Sequence, residues 1–262
     1  MSQDPGKYQA WNEMLASIGV LTAIPVSRAA GRRSATLGLA PVVGALLGLL
    51  AGGSVLAGHW LFPGPAGAIL TAALTVALLG LVTRGLHLDG LADTADGFGP
   101  LGDPAAGLAV MRRSDIGAFG AAALVLTLLV DCAALARDIS AGRGFASVLV
   151  AVVAGRLAMT WAGVPGVPAA RPDGLGAAVA GSVPPPVAWA FTGAALAGTL
   201  APAVFGAGPL AIRLTGALIA ALAASLILRR RAVRRFGGIT GDILGACCEL
   251  AVAAALLVTA IR

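Results

Sequence analysis

The acidic residues of this chain are few and concentrated in one segment, HLDGLADTADGFG. Of 12 Asp and Glu in 262 residues, four lie in the loop after the second apolar stretch: Asp89, Asp93, Asp96 and Asp103. The first three are spaced four and three residues apart, so on a helix they share an arc of roughly 60°. Clustered like charges destabilise a bare helix, and carboxylates suit Mg²⁺ or Mn²⁺. The spacing predicts a divalent metal site, with a solvated acidic loop as the alternative.

His87 precedes the first aspartate by two residues. Its intrinsic pKa suits a general base, and a hydrogen-bonded structural histidine is the alternative.

A second polar segment, MRRSDIGAFG, precedes the third apolar stretch. It contains Arg112, Arg113, Ser114 and Asp115. Two guanidinium groups and a hydroxyl at a helix start can bind an anion, and paired arginines at this position can also anchor membrane topology. The two interpretations are compatible.

A third segment, RRFGGITGDILGACCEL, contains Gly237, Gly238, Thr240 and Gly241, followed by Asp242. Its glycines can bring backbone amides close to a phosphate, although no Walker motif is present. Glu249, one to two turns into an apolar stretch, is either functional or the partner of a buried arginine such as Arg156. The loop ARPDGLG adds Arg171 and Asp173 to the candidate site.

Composition indicates what must position these residues. The chain is 58% hydrophobic and 11% charged, against about 25% charged in soluble domains. It is predicted to be an all-α, polytopic membrane protein with one integral membrane domain and an N-terminal interfacial segment at about 8–33. Seven spans are predicted near residues 36–60, 65–84, 117–136, 145–164, 186–206, 209–228 and 243–261.

The cations are distributed unequally between the two predicted sides. One side has Lys7, Arg28, Arg32, Arg33, Arg84, Arg112, Arg113, Arg171, Arg229, Arg230, Arg231, Arg234 and Arg235, and the other has Arg137, Arg143 and Arg262. The positive-inside rule makes the first side, with all the polar segments, cytoplasmic. The net charge of +6 therefore reflects topology and not nucleic-acid binding. Cys132, Cys247 and Cys248 show no Cys/His spacing that indicates zinc or disulfides.

These segments together resemble the cobalamin synthase family, the adenosylcobinamide-GDP ribazoletransferases. The resemblance rests on LTAIPV, HLDGLADTADG, MRRSDIGAFG, ARPDGLG and GGITGDILGACCEL, in the family's order and spacing. It implies a multi-pass enzyme of the bacterial inner membrane that joins adenosylcobinamide-GDP to α-ribazole or its 5′-phosphate and releases GMP. Membrane lipid and other cobalamin-assembly enzymes are the further partners expected.

The resemblance also implies individual roles. Asp89, Asp93 and Asp96 would hold Mg²⁺, with Asp242 as a further ligand. His87, Asp89 or Asp93 would accept the hydroxyl proton. The substrate-binding set would comprise Arg112, Arg113, Ser114, Asp115, Arg171, Gly238, Thr240 and Glu249.

Two other functions fit part of the pattern. A CDP-alcohol phosphotransferase also clusters aspartates at a membrane interface, but its Asp-Gly is followed after two residues by Ala-Arg, whereas here Asp93 and Thr94 stand there. A transporter would use Asp131, Arg156 and Glu249 as a pathway, and the polar segments would then be distributed over both sides.

Overall fold

The computed structural model describes residues 5–24, 37–100 and 103–261, with backbone only for residues 5–11. Arg28, Arg32, Arg33 and Arg262, four of the cations used for the topology, lie outside these residues. The described chain is helical apart from turns and one isolated β-bridge. Its helices are α1 (Pro5–Leu21), α2 (Ala40–Leu61), α3 (Gly64–Val82), α4 (Leu86–Phe98), α5 (Pro104–Val110), α6 (Ala118–Ser140), α7 (Gly144–Ala162), α8 (Gly174–Val179), α9 (Pro185–Val204), α10 (Gly208–Phe236) and α11 (Gly241–Ala260).

Seven of these helices, α2, α3, α6, α7, α9, α10 and α11, are long and apolar enough to cross a membrane. The predicted class and the predicted number of spans are confirmed. Helix α10 continues to Phe236, well past the expected residue 228, because the arginine-rich segment after the apolar stretch remains helical. Helix α1 has only 17 residues and is not among the seven.

Glycines determine how closely α2 packs on α7. Gly44, Gly48 and Gly52 lie on one face of α2, and a Cβ atom on any of them would come within 3.0 Å of a side-chain atom of α7. Such contacts replace the hydrophobic driving force that lipid does not provide between helices. The seam places α7 in the middle of the bundle.

Helices α7 and α11 form the centre. In each, 67% of the apolar window is buried, compared with 17% in α9. The short helix α4 is not a span. It packs against α11 and α6 at the end of the bundle where α3 ends and α6 begins. Arg84 and Gly85, with φ of 55° and 66°, form the left-handed turn that directs the chain from α3 into α4.

At the opposite end of the bundle, Arg137, Asp138, Arg143 and Arg213 all have bonding partners among the described residues. Asp138, which is completely buried, accepts from Arg143 Nε at 2.7 Å and from the Thr259 hydroxyl at 2.6 Å. Arg137 and Arg213 donate to carbonyl groups at the C-terminal end of α11. Cations there stabilise the negative end of the helix dipole, and Arg213, absent from the sequence-based charge count, belongs to this side.

Candidate functional site

The site begins where α4 crosses α11. At Gly90 a Cβ atom would lie 2.6 Å from the carbonyl oxygen of Asp242, and at Gly245 it would lie 3.1 Å from the Cα of His87. The two backbones therefore touch, and only glycine fits at Gly90 without a shift of one helix. This contact brings the aspartate face of α4 beside the start of α11.

A cleft of about 260 Å³ opens beside this crossing. Asp89 from α4 and Asp242 from α11 line it, together with Arg171, Asp173 and backbone from the segments 174–176 and 240–241. The cleft lies at the end of the bundle shared by the loops after α3, α5, α7 and α10. Carboxylates, a guanidinium and peptide amides thus surround one space.

Two of the loops are joined by a short parallel bridge between Ala169 and Ile239. Ala170 N–H donates to the carbonyl of Ile239, and Ile239 N–H donates to that of Pro168, each at 2.9 Å. A Cβ atom at Gly238 would come within 2.4–2.5 Å of the backbone of the partner loop. Gly238 therefore permits loop packing here, which is a different use of glycine from the predicted approach to a phosphate.

Arg171 and Thr240 hold Asp242 in the cleft. The Thr240 hydroxyl lies 3.1 Å from Asp242 Oδ2 and also accepts the Ile243 amide as the N-cap of α11. Arg171 Nη1 lies 3.9 Å from the same carboxylate oxygen, and Nη2 donates to the Leu108 carbonyl at 2.6 Å. Thr240 is 4% exposed, so it acts on Asp242 from below the cleft surface.

Asp93 lies one turn along α4 from Asp89, in a negative environment. Burial raises its pKa to about 6, and the neighbouring charges of Asp89, Asp242 and Asp96 add to the effect. Neither Asp89 nor Asp93 forms an ion pair within the described residues. Such mutually repelling carboxylates favour a bound cation.

Asp96 uses both carboxylate oxygens for protein contacts. Oδ2 accepts the Gly117 amide at 2.6 Å, and Oδ1 accepts the Gly120 amide at 2.8 Å. These amides belong to the first turn of α6, whose N–H groups have no helical partner. Asp96 therefore fixes α6 to α4, whereas the spacing alone placed it with the two metal-ligand candidates before it.

The segment before α6 is exposed and its charges are paired. Arg112 donates to Asp173 at 2.8 and 3.1 Å, joining this segment to the loop after α7. Arg113 donates to Asp115 at 2.9 and 2.8 Å, and this contact holds the pKa of Asp115 below its usual range. Ser114, between these pairs, is also exposed. None of the three residues 113–115 lines the cleft.

His87 is buried and lines the cleft, whereas Glu249 does not line it. His87 is 1% exposed, and burial, followed by the positive charge of Arg156, holds its pKa well below the usual range. Glu249 lines a separate cavity of about 40 Å³ with Asp131 and Arg156. Sequence spacing alone could not show that His87 lines the cleft with Asp89 while Glu249 lines the other cavity.

Seven membrane-length helices with carboxylates, arginine and backbone amides around one cleft define a polytopic membrane protein whose site suits phosphate chemistry. The chain belongs to the cobalamin-5-phosphate synthase family, whose sequence model matches residues 13–260. No solved structure matches the chain.

Several relatives share the name adenosylcobinamide-GDP ribazoletransferase. The protein of Frankia casuarinae is 49% identical over 245 residues, covering 89% of this chain and 86% of its own. That of a Nocardioides species is 40% identical over 252 residues, covering 94% and 97%. That of Ectopseudomonas mendocina is 41% identical over 225 residues, covering 84% and 85%. The expected family is confirmed.

Proposed function

We propose that this protein is an adenosylcobinamide-GDP ribazoletransferase. It joins adenosylcobinamide-GDP to α-ribazole, or to its 5′-phosphate, and releases GMP, giving adenosylcobalamin or its 5′-phosphate. The observation that supports this most directly is the carboxylate cleft at the α4–α11 crossing, in a chain that belongs to the family over nearly its full length.

The reaction is a displacement at phosphorus. The ribazole hydroxyl oxygen forms a bond to the cobinamide-side phosphorus, the bond from that phosphorus to the bridging oxygen breaks, and GMP leaves with the bridging oxygen. Asp89 lines the cleft and Asp93 lies beside it, so either carboxylate can accept the hydroxyl proton. His87 also lines the cleft but is less suited to this role, because the residue is only 1% exposed.

The donor set fits Mg²⁺. Asp89, Asp93 and Asp242 would hold the ion, because they are hard oxygen donors whose repulsion a cation relieves. No three of the described aspartates place oxygens close enough to form a direct three-ligand site, and Mg²⁺ usually keeps waters and binds through one or two carboxylates plus substrate phosphates. When bound, the ion neutralises charge on the pyrophosphate. Asp96 would support the site by fixing α6.

Positive groups around the cleft would bind the substrate. Arg171 reaches Asp242 inside the cleft, and Arg112 lies at its mouth beside Asp173. Arg113, Ser114 and Asp115 would then bind the substrate at the outer surface, where the bulky corrinoid enters. Binding of phosphate by guanidinium groups in such a setting is well matched in geometry and charge.

The site would face the cytoplasm in the bacterial inner membrane. The arginines of the extended helix α10, on the cleft side, follow the positive-inside rule. In that orientation both nucleotide substrate and GMP stay in the compartment of nucleotide metabolism. Membrane lipid surrounds the spans, and other cobalamin-assembly enzymes can deliver a substrate of this size.

Purified protein in detergent or lipid nanodiscs tests the proposal. With adenosylcobinamide-GDP, α-ribazole and Mg²⁺, GMP and the joined corrinoid should form in equal amounts. Omission of α-ribazole should stop GMP release, which distinguishes transfer from simple hydrolysis. No product over a range of lipids and divalent metals would contradict the proposed activity, and product formation unaffected by a chelator would contradict the role of Mg²⁺.

A further inference from the structure

A second group of potential ligands lies below the cleft, between α4 and α11. His87, Cys248 and Glu249 each place one ligand atom so that all three atoms lie within 4.8 Å of one another. Among the described residues this is the only group of three His, Cys, Asp or Glu side chains with that spacing. His87 is far in sequence from the adjacent residues Cys248 and Glu249, and it meets them where Gly90 and Gly245 let the helices touch.

The histidine in this group has an unusual surrounding. His87 is 1% exposed, and neither ring nitrogen has a hydrogen-bond partner. Buried polar side chains are hydrogen-bonded in most cases, and an unsatisfied one costs about 1–3 kcal/mol. Both ring nitrogens are unsatisfied and one lies close to a thiol and a carboxylate, so a cation bound by all three groups would offset part of this cost.

The adjacent charges point to a cation. Asp131, Arg156 and Glu249 line the small cavity of about 40 Å³ beside the group. With both acids ionised, the buried charges sum to minus one, which is expensive within a membrane. A divalent cation accompanied by ionisation of the Cys248 thiol brings the sum to zero. Arg156 remains next to Glu249 as the balancing positive charge.

We propose that His87, Cys248 and Glu249 bind one zinc-class divalent cation that fastens α4 to α11. Nitrogen, sulfur and oxygen donors suit Zn²⁺ and not Mg²⁺, which prefers oxygen. The cavity has room for a water molecule as fourth ligand. On binding, the Cys248 thiol releases its proton to solvent and its sulfur bonds to the metal. The site adjoins the carboxylate cleft, which His87 also lines, but none of its three ligands is one of the cleft aspartates. The proposal does not rest on the proposed activity.

The neighbouring cysteine provides a matched control. Cys247 and Cys248 are both fully buried in α11, but the Cys247 thiol faces the Ser225 carbonyl of α10 at 3.8 Å. Cys247→Ser therefore makes the same chemical change one position away and leaves the ligand group intact. Cys248→Ser removes the sulfur ligand, and Glu249→Gln keeps the side-chain volume while weakening the oxygen ligand.

Metal content and cobalt spectroscopy test the site. Protein without a histidine tag is purified from zinc-supplemented cells, washed with excess Mg²⁺ to clear the carboxylate cleft, and analysed by mass spectrometry for metals. Protein stripped with a chelator is then titrated with Co²⁺, because only a cobalt–thiolate bond gives a strong near-ultraviolet charge-transfer band. Thermal unfolding with and without the chelator reports the effect on stability.

The wild-type protein and Cys247→Ser should each contain close to one zinc per chain and show the cobalt band. Cys248→Ser should lose the band, and its zinc content and that of Glu249→Gln should fall by about tenfold or more, as expected for loss of a ligand. The chelator should lower the unfolding temperature of the wild type and of Cys247→Ser, but not that of Cys248→Ser. Zinc-free wild-type protein that also gives no cobalt band overturns the proposal, as does an unchanged band in Cys248→Ser.

Discussion

The two ends of the bundle both carry charged residues, but they use them in opposite ways. At the end where α11 terminates, Asp138 is buried and bonded to Arg143 and Thr259, and the other arginines bond to carbonyl groups. At the end where α4 crosses α11, Asp89 and Asp93 have no cationic partner among the described residues. Asp138 is thus neutralised at one end, whereas Asp89 and Asp93 remain without a cationic partner at the other, in the part of the chain that the structure describes.

This difference separates structural charges from functional ones. A fully paired, buried carboxylate contributes to the fold, and its removal leaves another group unsatisfied. Grouped carboxylates without cations repel one another, which is the basis for proposing a bound cation there. The same residue type, aspartate, therefore predicts different consequences of mutation at the two ends.

The accessibility of engineered thiols gives the sharpest test of the difference between the two ends, because the expected result is all-or-none. Ser114→Cys and Ser140→Cys place exposed thiols at the cleft end and the opposite end. In intact inverted and right-side-out vesicles, a membrane-impermeant maleimide should label residue 114 from the cytoplasmic side only and residue 140 from the other side only. Labelling of both from one side would show that the two ends do not face opposite compartments.

Removing charge at the cleft should cause the largest loss of activity. We expect Asp89→Asn and Asp93→Asn to reduce GMP release by about 10²–10⁴-fold, because each 1.4 kcal/mol of lost transition-state stabilisation is a factor of ten. The unfolding temperature measured without Mg²⁺ should be unchanged or slightly higher, since repulsion among the carboxylates is reduced. Near-normal turnover in both variants would show that the acidic face of α4 is only a solvated surface.

The paired end should respond in the reverse manner. Asp138→Asn removes the partner of Arg143 at a fully buried position, and loss of one member of a buried pair costs about 3–5 kcal/mol. Thermal unfolding should shift strongly downward, while the GMP release per folded molecule stays close to wild type. A large loss of turnover in the folded fraction would instead connect this end to catalysis.

The glycine contact at the α4–α11 crossing should give a smaller, mixed effect. Gly90→Ala forces a Cβ atom against the Asp242 carbonyl, so the helices must separate, which typically costs about 1–3 kcal/mol. Both turnover and unfolding temperature should fall. Gly53→Ala in α2 meets no atom within 4 Å and is the matched control, expected to be neutral. Equal effects of Gly90→Ala and Gly53→Ala on turnover and unfolding temperature would show that the site does not depend on the close approach of the two helices.

Much of the fold could be predicted because the bilayer imposes long apolar segments. The number of spans follows from hydropathy, and alternation across the membrane places the polar segments at one end. The four-residue spacing of Gly44, Gly48 and Gly52 is likewise a pattern typical of a close helix contact. The C-terminal end of α10 could not be predicted, because an arginine-rich segment can remain helical after the chain has left the membrane.

The details of the site depended on contacts that sequence spacing does not contain. Helical spacing put Asp96 within 60° of its neighbours, but the free amides of α6 lie beside it and take both its oxygens. Cys248 showed no metal spacing in the sequence, since its companions come from another helix and from the adjacent position. Tertiary crossing, and not local pattern, decides which polar groups meet.

The ion pair between Arg112 and Asp173 has a consequence for substrate entry. Both side chains are more than half exposed, at 55% and 67%, so water and salt screen their attraction and the pair is worth roughly 0–1 kcal/mol. The free energy of this ion pair is therefore close to the thermal energy. The contact can therefore break and re-form at little cost while the hydrogen bond from Arg171 to the Leu108 carbonyl keeps the loop after α7 joined to α5. Loss of the pair would widen the mouth for a substrate broader than the cleft.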